Sequence, residues 1–153
     1  MLGKFRKLKG EGITHIIFGD IFLEDLRKYR EALLDKTGLK CIFPLWKQNT
    51  SELASSFIED GFRTITCCVS DEFLGEKDCG REFTKQFLEE LPANVDPCGE
   101  NGEFHTFCYA GPIFKKEIPI RTGEKIYRPL EMKTDDEAIS AKGFWYCDLL
   151  LEK

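Results

Sequence analysis

The sequence has little of what marks several protein classes. Only two of its 153 residues are histidine, no Cys-x-x-Cys pair occurs, and no apolar run has the length of a signal peptide or a membrane span. Basic residues are not in excess, since 22 lysines and arginines face 27 acidic residues and the net charge is −5. These absences argue against a zinc module, a secreted protein, a membrane protein and a nucleic-acid-binding protein. They predict a soluble cytoplasmic protein with no nucleic-acid or membrane partner.

The seven cysteines are predicted to be reduced thiols, because their number is odd and most lie in apolar surroundings. The apolar positions are Cys41, Cys67, Cys68, Cys108 and Cys147. Cys98 remains a candidate nucleophile, although no cationic residue beside it in the sequence would lower its pKa.

The chain reads as alternating strands and helices at the length of one domain. Apolar, β-branched runs predict strands at residues 14–20, 39–46 and 62–70, the first of them buried on both faces. Helical spacing of apolar residues predicts helices at 21–38, 49–61 and 80–92. Strands separated by helices predict right-handed crossovers and a mainly parallel sheet.

A β-rich tail follows this alternation. Strands are predicted at residues 102–109, 124–128 and 143–152. Residues 129–143 are charged and predict a surface insertion with a short helix at 135–140. No repeat, low-complexity stretch or long linker divides the chain, so a single domain over 1–153 is expected.

A candidate ligand position lies where the first strand ends. Asp20 precedes a predicted helix, whose N-terminal N–H groups can hold an anion, and its carboxylate can hold a metal ion or a hydroxyl. The alternative is that Asp20 caps the helix. Glu24, Arg27 and Glu31 share one face of that helix, which is either a solvated ion-pair stripe or a wall of the site.

The segment CGENGEFHTF at 98–107 is the second candidate. Strand alternation predicts that Glu103 and His105 project together, so that the carboxylate tunes the imidazole for acid–base work. Gly99 and Gly102 would let backbone N–H groups turn towards a ligand. The alternative is an ordinary Asn-Gly turn beside a polar strand face, since no metal triad is complete.

Four motifs then occur in a recognisable order: EGITHIIFGDIFLEDLRKYRE, FPLW, PCGENGEFHTF and GPIF. In this order the chain resembles the diphthine–ammonia ligase-like family of ATP-binding proteins, which are N-type ATP pyrophosphatases with a PP-loop. The resemblance runs from about residue 11 to 128 and resumes at GFWYCDLLLEK. The glutamate-rich loop is most similar to the bacterial branch.

The resemblance implies an adenine nucleotide alpha-hydrolase-like fold, which is a three-layer, Rossmann-like α/β fold with a mainly parallel sheet. Residues 11–92 would form the C-terminal part of the nucleotide-binding sheet. Residues 93–153 would form the substrate-side loop and the β-rich tail, with the insertion at 129–143.

The resemblance also implies a reaction. Family members bind ATP, adenylate a carboxylate and let ammonia displace AMP, so ATP, magnesium, ammonia or an amine, and a small-molecule or modified-residue carboxylate are the expected ligands. The diphthine of the family name is a modified histidine of elongation factor, but another carboxylate or amine acceptor fits equally.

The implied site has two parts. The nucleotide or substrate crevice would be lined by Gly19, Asp20, Asp25, Arg27 and Glu31. The substrate-side loop would comprise Gly99, Glu100, Asn101, Gly102, Glu103, His105 and Thr106, with Glu100, Glu103 and His105 catalytic. Our hypothesis is that Glu100 and Glu103 hold magnesium or the amine, while Arg27 offsets phosphate charge.

Two departures from the family pattern stand out. The chain contains no Ser-Gly-Gly-Lys-Asp-Ser loop, so an N-terminal truncation of the sheet is expected, and Ala110-Gly111-Pro112 replaces Asp-Gly-Pro. Three hypotheses follow. The chain is a family enzyme or its substrate half, which needs the missing N-terminal part from an alternative start or a separate chain; or it is a non-catalytic binding or regulatory protein; or it is a gene fragment. Such a truncation would remove the cover of the strands at 14–20 and 62–70 and expose their apolar faces, so the chain is expected to form a homodimer or to aggregate.

Overall fold

The computed structural model describes residues 2–130 and 142–152. The chain forms two compact units, Met1–Asn49 and Thr50–Lys153. The sequence instead places the change from the nucleotide-binding sheet to the substrate-side part at residue 93. In the structure, residues before and after that point share the core of the second unit. The single domain stays a prediction, and the predicted helix at 135–140 lies outside the described residues.

The first unit contains helices α1 (Leu2–Gly10) and α2 (Glu24–Asp35) and strands β1 (His15–Ile17) and β2 (Lys40–Ile42). The two strands pair in parallel, with Ile17 opposite Ile42. Helix α2 confirms the predicted helix at 21–38: acidic residues occupy its first turn, Leu34 is buried, and Gly38 follows in the left-handed region.

Strand β1 is not buried on both faces, which corrects the sequence prediction. Ile17 is 68% exposed, and only Ile16 is half-buried. Among the described residues β1 pairs with β2 alone, so no further strand covers it.

The second unit contains α3 (Thr50–Glu59), β3 (Arg63–Ser70), a 3₁₀ turn (Glu76–Asp78), α4 (Lys85–Glu89), β4 (Phe104–Ala110), β5 (Ile120–Pro129) and β6 (Gly143–Leu151). Its four strands form one sheet in the order β4-β3-β6-β5, and all neighbouring pairs are antiparallel. The predicted helix at 49–61 and the predicted strands of the tail are thereby confirmed.

The prediction of a mainly parallel sheet is wrong for the described chain, where only β1 and β2 run parallel. The connection from β3 to β4, which includes the five-residue helix α4, returns the chain antiparallel to β3 instead of crossing over to a parallel strand. The mixed α/β class is confirmed, while the three-layer Rossmann-like arrangement stays a prediction.

Helix α4 is also shorter than the predicted helix at 80–92. The residues before it lie alongside β3 instead: Glu82 forms a bridge with Ile65, and Phe83 donates its N–H to the Thr64 carbonyl at 2.9 Å. Ladder pairing with β3 thus outweighs the helical spacing at these positions.

The main core of the second unit lies between α3, α4 and the sheet, around Val69, Phe87 and Phe104. All seven cysteines are free thiols, as predicted. Cys79 and Cys147 belong to this core, and burial raises the pKa of Cys79 to about 12. Across residues 2–130 and 142–152 no helix is both long and apolar enough to cross a membrane.

Candidate functional site

The loop at residues 96–103 leads into β4 and is organised by two carboxylates. The first belongs to Asp96, whose Oδ2 accepts the backbone N–H groups of Cys98 and Glu100, both at 3.0 Å. The bond to Cys98 closes an Asx turn, because a short aspartate side chain reaches the N–H two residues on.

The second carboxylate belongs to Glu103, which is 1% exposed. Its Oε1 accepts the N–H of Asp96 at 2.9 Å and the side-chain amide of Asn101 at 3.0 Å, and its Oε2 accepts the N–H of Asn101 at 2.9 Å. A buried carboxylate is tolerated only when it is paired in this way.

The pKa of Glu103 reflects a balance of opposing effects. Burial acts to raise the pKa, but the hydrogen bonds from the Asn101 side chain and from the loop backbone outweigh it and hold the pKa below its ordinary value. Glu103 is therefore a charged carboxylate that anchors the loop from inside.

The backbone N–H groups of the loop do not face a ligand, which corrects the sequence expectation. Gly99 donates to the Asp96 carbonyl at 2.8 Å and Gly102 donates to the Gly99 carbonyl at 3.1 Å, while the other N–H groups go to the two carboxylates. Every N–H between residues 96 and 102 thus has an acceptor inside the chain. Such a loop offers no backbone cradle for an anion.

The two glycines of the loop both have positive φ, at 68° for Gly99 and 86° for Gly102. Only Gly99 is also sterically confined, since a Cβ there would lie 2.8 Å from the Phe104 carbonyl oxygen. The sequence pattern is therefore required by the backbone of the turn itself.

Glu103 and His105 do not project together. Glu103 precedes β4 and turns inward, whereas His105 and Thr106 lie in β4 with exposed side chains. Strand alternation does not apply to Glu103, because a residue in a loop has no fixed alternation with the strand that follows. Glu100 is half-buried and Asn101 is exposed on the same loop.

Cys98 lacks the properties of a nucleophile. Its Sγ donates to the Thr50 carbonyl at 3.3 Å, and burial, with Asp96 and Glu100 adding to it, raises the pKa of the thiol to about 11. A thiol with this pKa carries almost no thiolate at neutral pH.

In the first unit, Asp20 is held by an ion pair. Its carboxylate is 8% exposed and accepts two hydrogen bonds from Arg30, at 2.6 and 3.1 Å. The capping alternative is wrong, because α2 begins at Glu24, and its N-cap, Leu23, has no side-chain bond. Bidentate pairing leaves Asp20 poorly placed to bind a metal or a hydroxyl.

Arg27 and Glu31 form the predicted ion pair at 2.8 Å, and Arg27 also lies over the rings of Phe43 and Trp46, at 4.9 and 4.6 Å. Arg27, Glu31 and Trp46 help to line a shallow hollow of about 210 Å³. The ion-pair interpretation of this helix face is confirmed for Arg27 and Glu31, and its interpretation as a wall of a site stays a prediction.

Two further residues were predicted to line the crevice. Gly19 is exposed, and the exposed Asp25 reaches Lys28 only at 3.7 Å. Exposed pairs of this kind contribute little binding or stability.

No group of three or more histidine, cysteine, aspartate or glutamate side chains in the described part of the chain has the arrangement of a metal site. Glu103 in particular has both oxygens occupied by N–H donors. The predicted magnesium pair of Glu100 and Glu103 therefore does not fit this geometry.

Sequence reasoning missed Asp96, which does as much as Glu103 to order the loop. The available signal was the Asp-Pro dipeptide at 96–97, since aspartate before proline is typical of a turn.

The chain is similar in sequence to known proteins. Residues 49–134 match the family described as Diphthamide synthase C-terminal domain. The diphthine–ammonia ligase of Danio rerio is 30% identical over 131 residues, which are 80% of this chain and 48% of the relative. That of Rattus norvegicus is 30% identical over 121 residues (76% and 45%), and that of Schizosaccharomyces pombe is 29% identical over 100 residues (63% and 16%).

The chain spans about half, or less, of the length of these curated relatives. The family match includes the whole of the loop at 96–103 and both of its carboxylates. Because this match covers more than half of the sequence, the chain belongs to the diphthamide synthase C-terminal domain family.

Proposed function

We propose that the chain is the substrate-side part of an ATP-dependent, amide-forming ligase. In this reaction a carboxylate displaces pyrophosphate from ATP to give an acyl adenylate. Ammonia then attacks the acyl carbon, AMP leaves, and the nitrogen loses a proton as the amide forms. The names of the curated relatives, diphthine–ammonia ligases, support this assignment.

One observation carries the proposal: the family match contains a loop whose backbone N–H groups are held by hydrogen bonds within the chain. Preorganised loops suit ligases, because the amine and the acyl carbon need to meet in a narrow range of geometries. We assign Glu100 and Asn101 of this loop to contact the substrate, and the exposed His105 of β4 to accept the proton that ammonia loses.

The roles of Glu103 and Arg27 change from the sequence hypothesis. Glu103 is internal, so we assign it to loop order rather than to metal or amine. Arg27 is paired with Glu31 and stacked on Phe43 and Trp46, and we keep it as the wall of the crevice in which a phosphate-bearing substrate would lie.

ATP and magnesium belong to the proposal on family grounds. The loop supplies no N–H cradle for phosphates, and the residues described do not fit a magnesium site, so no step is assigned to the metal here. ATP would supply the adenylyl group that turns a carboxylate into an electrophile. The cytoplasmic location and the bacterial branch remain part of the same proposal.

The experiment is AMP formation, followed by chromatography of the nucleotides. Reactions contain the chain, ATP, magnesium, ammonium and a carboxylate, with a diphthine peptide tested first. A second arm adds a polypeptide that covers the rest of the Danio rerio relative. We expect AMP and amide in equal amounts in at least one arm, and none when the carboxylate is omitted.

Glu100→Gln should lower kcat by about a hundredfold, as expected when a charged contact to the substrate that is stronger in the transition state is lost. Glu124→Gln on β5 is the matched control, since that glutamate is exposed and lies far from the loop in sequence. AMP formation in neither arm, or equal rates for both variants, would contradict the proposal. Carboxylate binding without AMP would favour the non-catalytic alternative.

A further inference from the structure

We infer that Asp96 and Glu103 are positioning residues, which clasp the loop at 96–102 and thereby fix where Glu100 and Asn101 meet the substrate. The inference rests on the proposed function and deepens it, because it assigns the order of the site to residues that need not touch a ligand.

The geometry at Asp96 uses a single oxygen. Both N–H donors, from Cys98 and Glu100, converge on Oδ2, and no hydrogen bond to Oδ1 is seen in the described part of the chain. Asparagine carries one acceptor oxygen on the same framework, so it can accept both bonds. Alanine can accept neither.

The geometry at Glu103 uses both oxygens. Oε1 accepts from Asp96 and from the Asn101 side chain, and Oε2 accepts from the Asn101 backbone. Glutamine has one oxygen and one NH₂ group, so in either orientation it sets a donor against a donor. The same chemical change, acid to amide, is thus tolerated at residue 96 and disruptive at residue 103.

The clasp is continuous with the sheet. The backbone carbonyl of Glu103 accepts the N–H of Ser70, at the end of β3, at 2.8 Å. The next residue, Phe104, begins β4 and is 3% exposed. The loop is therefore fixed to the rigid strands of the sheet, as a substrate-positioning loop requires.

The test compares amide hydrogen exchange in the full chain for wild type, Asp96→Asn, Asp96→Ala and Glu103→Gln. Asp96→Ala should speed exchange at Cys98 and Glu100 by about tenfold or more, while Asp96→Asn stays within about threefold of wild type. Glu103→Gln should speed exchange at Asp96 or Asn101. Unchanged exchange at Thr66 and Val69 in β3 shows that each variant is folded.

The second readout is AMP formation in the assay above. Asp96→Ala should lower kcat about tenfold or more with little change in the KM for ATP, and Asp96→Asn should restore it. A variant with faster exchange but wild-type kcat would overturn the positioning role. If wild type forms no AMP, the proposed function fails, and the exchange data alone decide the clasp.

Three exchange results would contradict the inference that Asp96 and Glu103 hold the loop in place. Asp96→Ala would exchange like wild type at Cys98 and Glu100, or Asp96→Asn would lose protection as Asp96→Ala does. Wild-type protection of Asp96 and Asn101 in a folded Glu103→Gln variant would remove Glu103. Should Glu103→Gln fail to fold, the Asp96 pair still gives the answer.

Discussion

Two neighbouring glutamates, similar in sequence, occupy different environments. Glu103 is buried and accepts three hydrogen bonds from the loop, whereas Glu100 is half-buried and donates its backbone N–H to Asp96. The hypothesis that accompanied the family resemblance had both carboxylates hold magnesium or the amine. Neither the resemblance nor the residue spacing indicates which of the two turns inward.

The glycines of the loop provide a matched pair of substitutions. We expect Gly99→Ala to destabilise the second unit more than Gly102→Ala. Both positions have positive φ, but only a Cβ at residue 99 lies within 3 Å of a backbone oxygen. The strain common to both is about 1 kcal/mol, and the clash adds to it at Gly99. Urea unfolding measures the difference, and equal losses would refute the steric account.

The lowered pKa of Glu103 predicts acid sensitivity. Its charged form stabilises the folded loop fully above the unfolded pKa of about 4.3, and this contribution is lost as pH falls through the lower folded pKa. The unfolding free energy should therefore fall more steeply below about pH 4.3 in wild type than in Glu103→Gln. Every other carboxylate of the chain is present in both proteins, so the difference between the two curves belongs to Glu103. Parallel pH curves would show that Glu103 is not anchored by its charge.

At the scale of elements, local signals were sufficient for some and not for others. Helices α2 and α3 and strand β3 were predicted because apolar spacing and stop signals lie within each segment. The antiparallel order of the sheet was not predictable, since pairing β3 with β6 joins residues about 75 apart, such as Val69 and Trp145. The prediction that β1 is buried on both faces was wrong for the same reason, because burial depends on neighbouring elements that the local pattern does not identify.

Helix α4 predicts the effect of a single cap. Thr84 Oγ1 accepts the Phe87 N–H at 3.2 Å, and Phe87 is buried in the main core. Thr84→Ala should cost about 1 kcal/mol of unfolding free energy, and Thr84→Ser should cost less because the hydroxyl remains. Trp145 fluorescence in a Trp46→Phe background reports on the second unit alone. Equal stability of the alanine and serine variants would show that the cap is not used.

At the scale of the whole molecule, self-association is the open expectation. The expectation that residues 62–70 are exposed and associate is wrong, because β3 lies between β4 and β6 and most of its residues are buried. The expectation that β1 associates gains support from Ile17 and Ile42, which pair in register and are 68% and 40% exposed.

We therefore expect the sedimentation coefficient of the chain to rise with protein concentration, and Ile17→Lys to suppress the rise. Ile113→Lys is the matched control, since Ile113 is 79% exposed but lies in the loop between β4 and β5. A wild-type monomer at every concentration, or equal effects of the two lysine variants, would remove β1 as an association surface.

We propose that the chain serves a ligase that activates a carboxylate as its adenylate. The most direct measurement is oxygen transfer from a diphthine peptide labelled with ¹⁸O in its carboxylate, in both arms of the assay. We expect AMP that carries one ¹⁸O atom, with unlabelled pyrophosphate, because the carboxylate oxygen that attacks phosphorus leaves with AMP. Unlabelled AMP, or ADP with labelled phosphate, would contradict it.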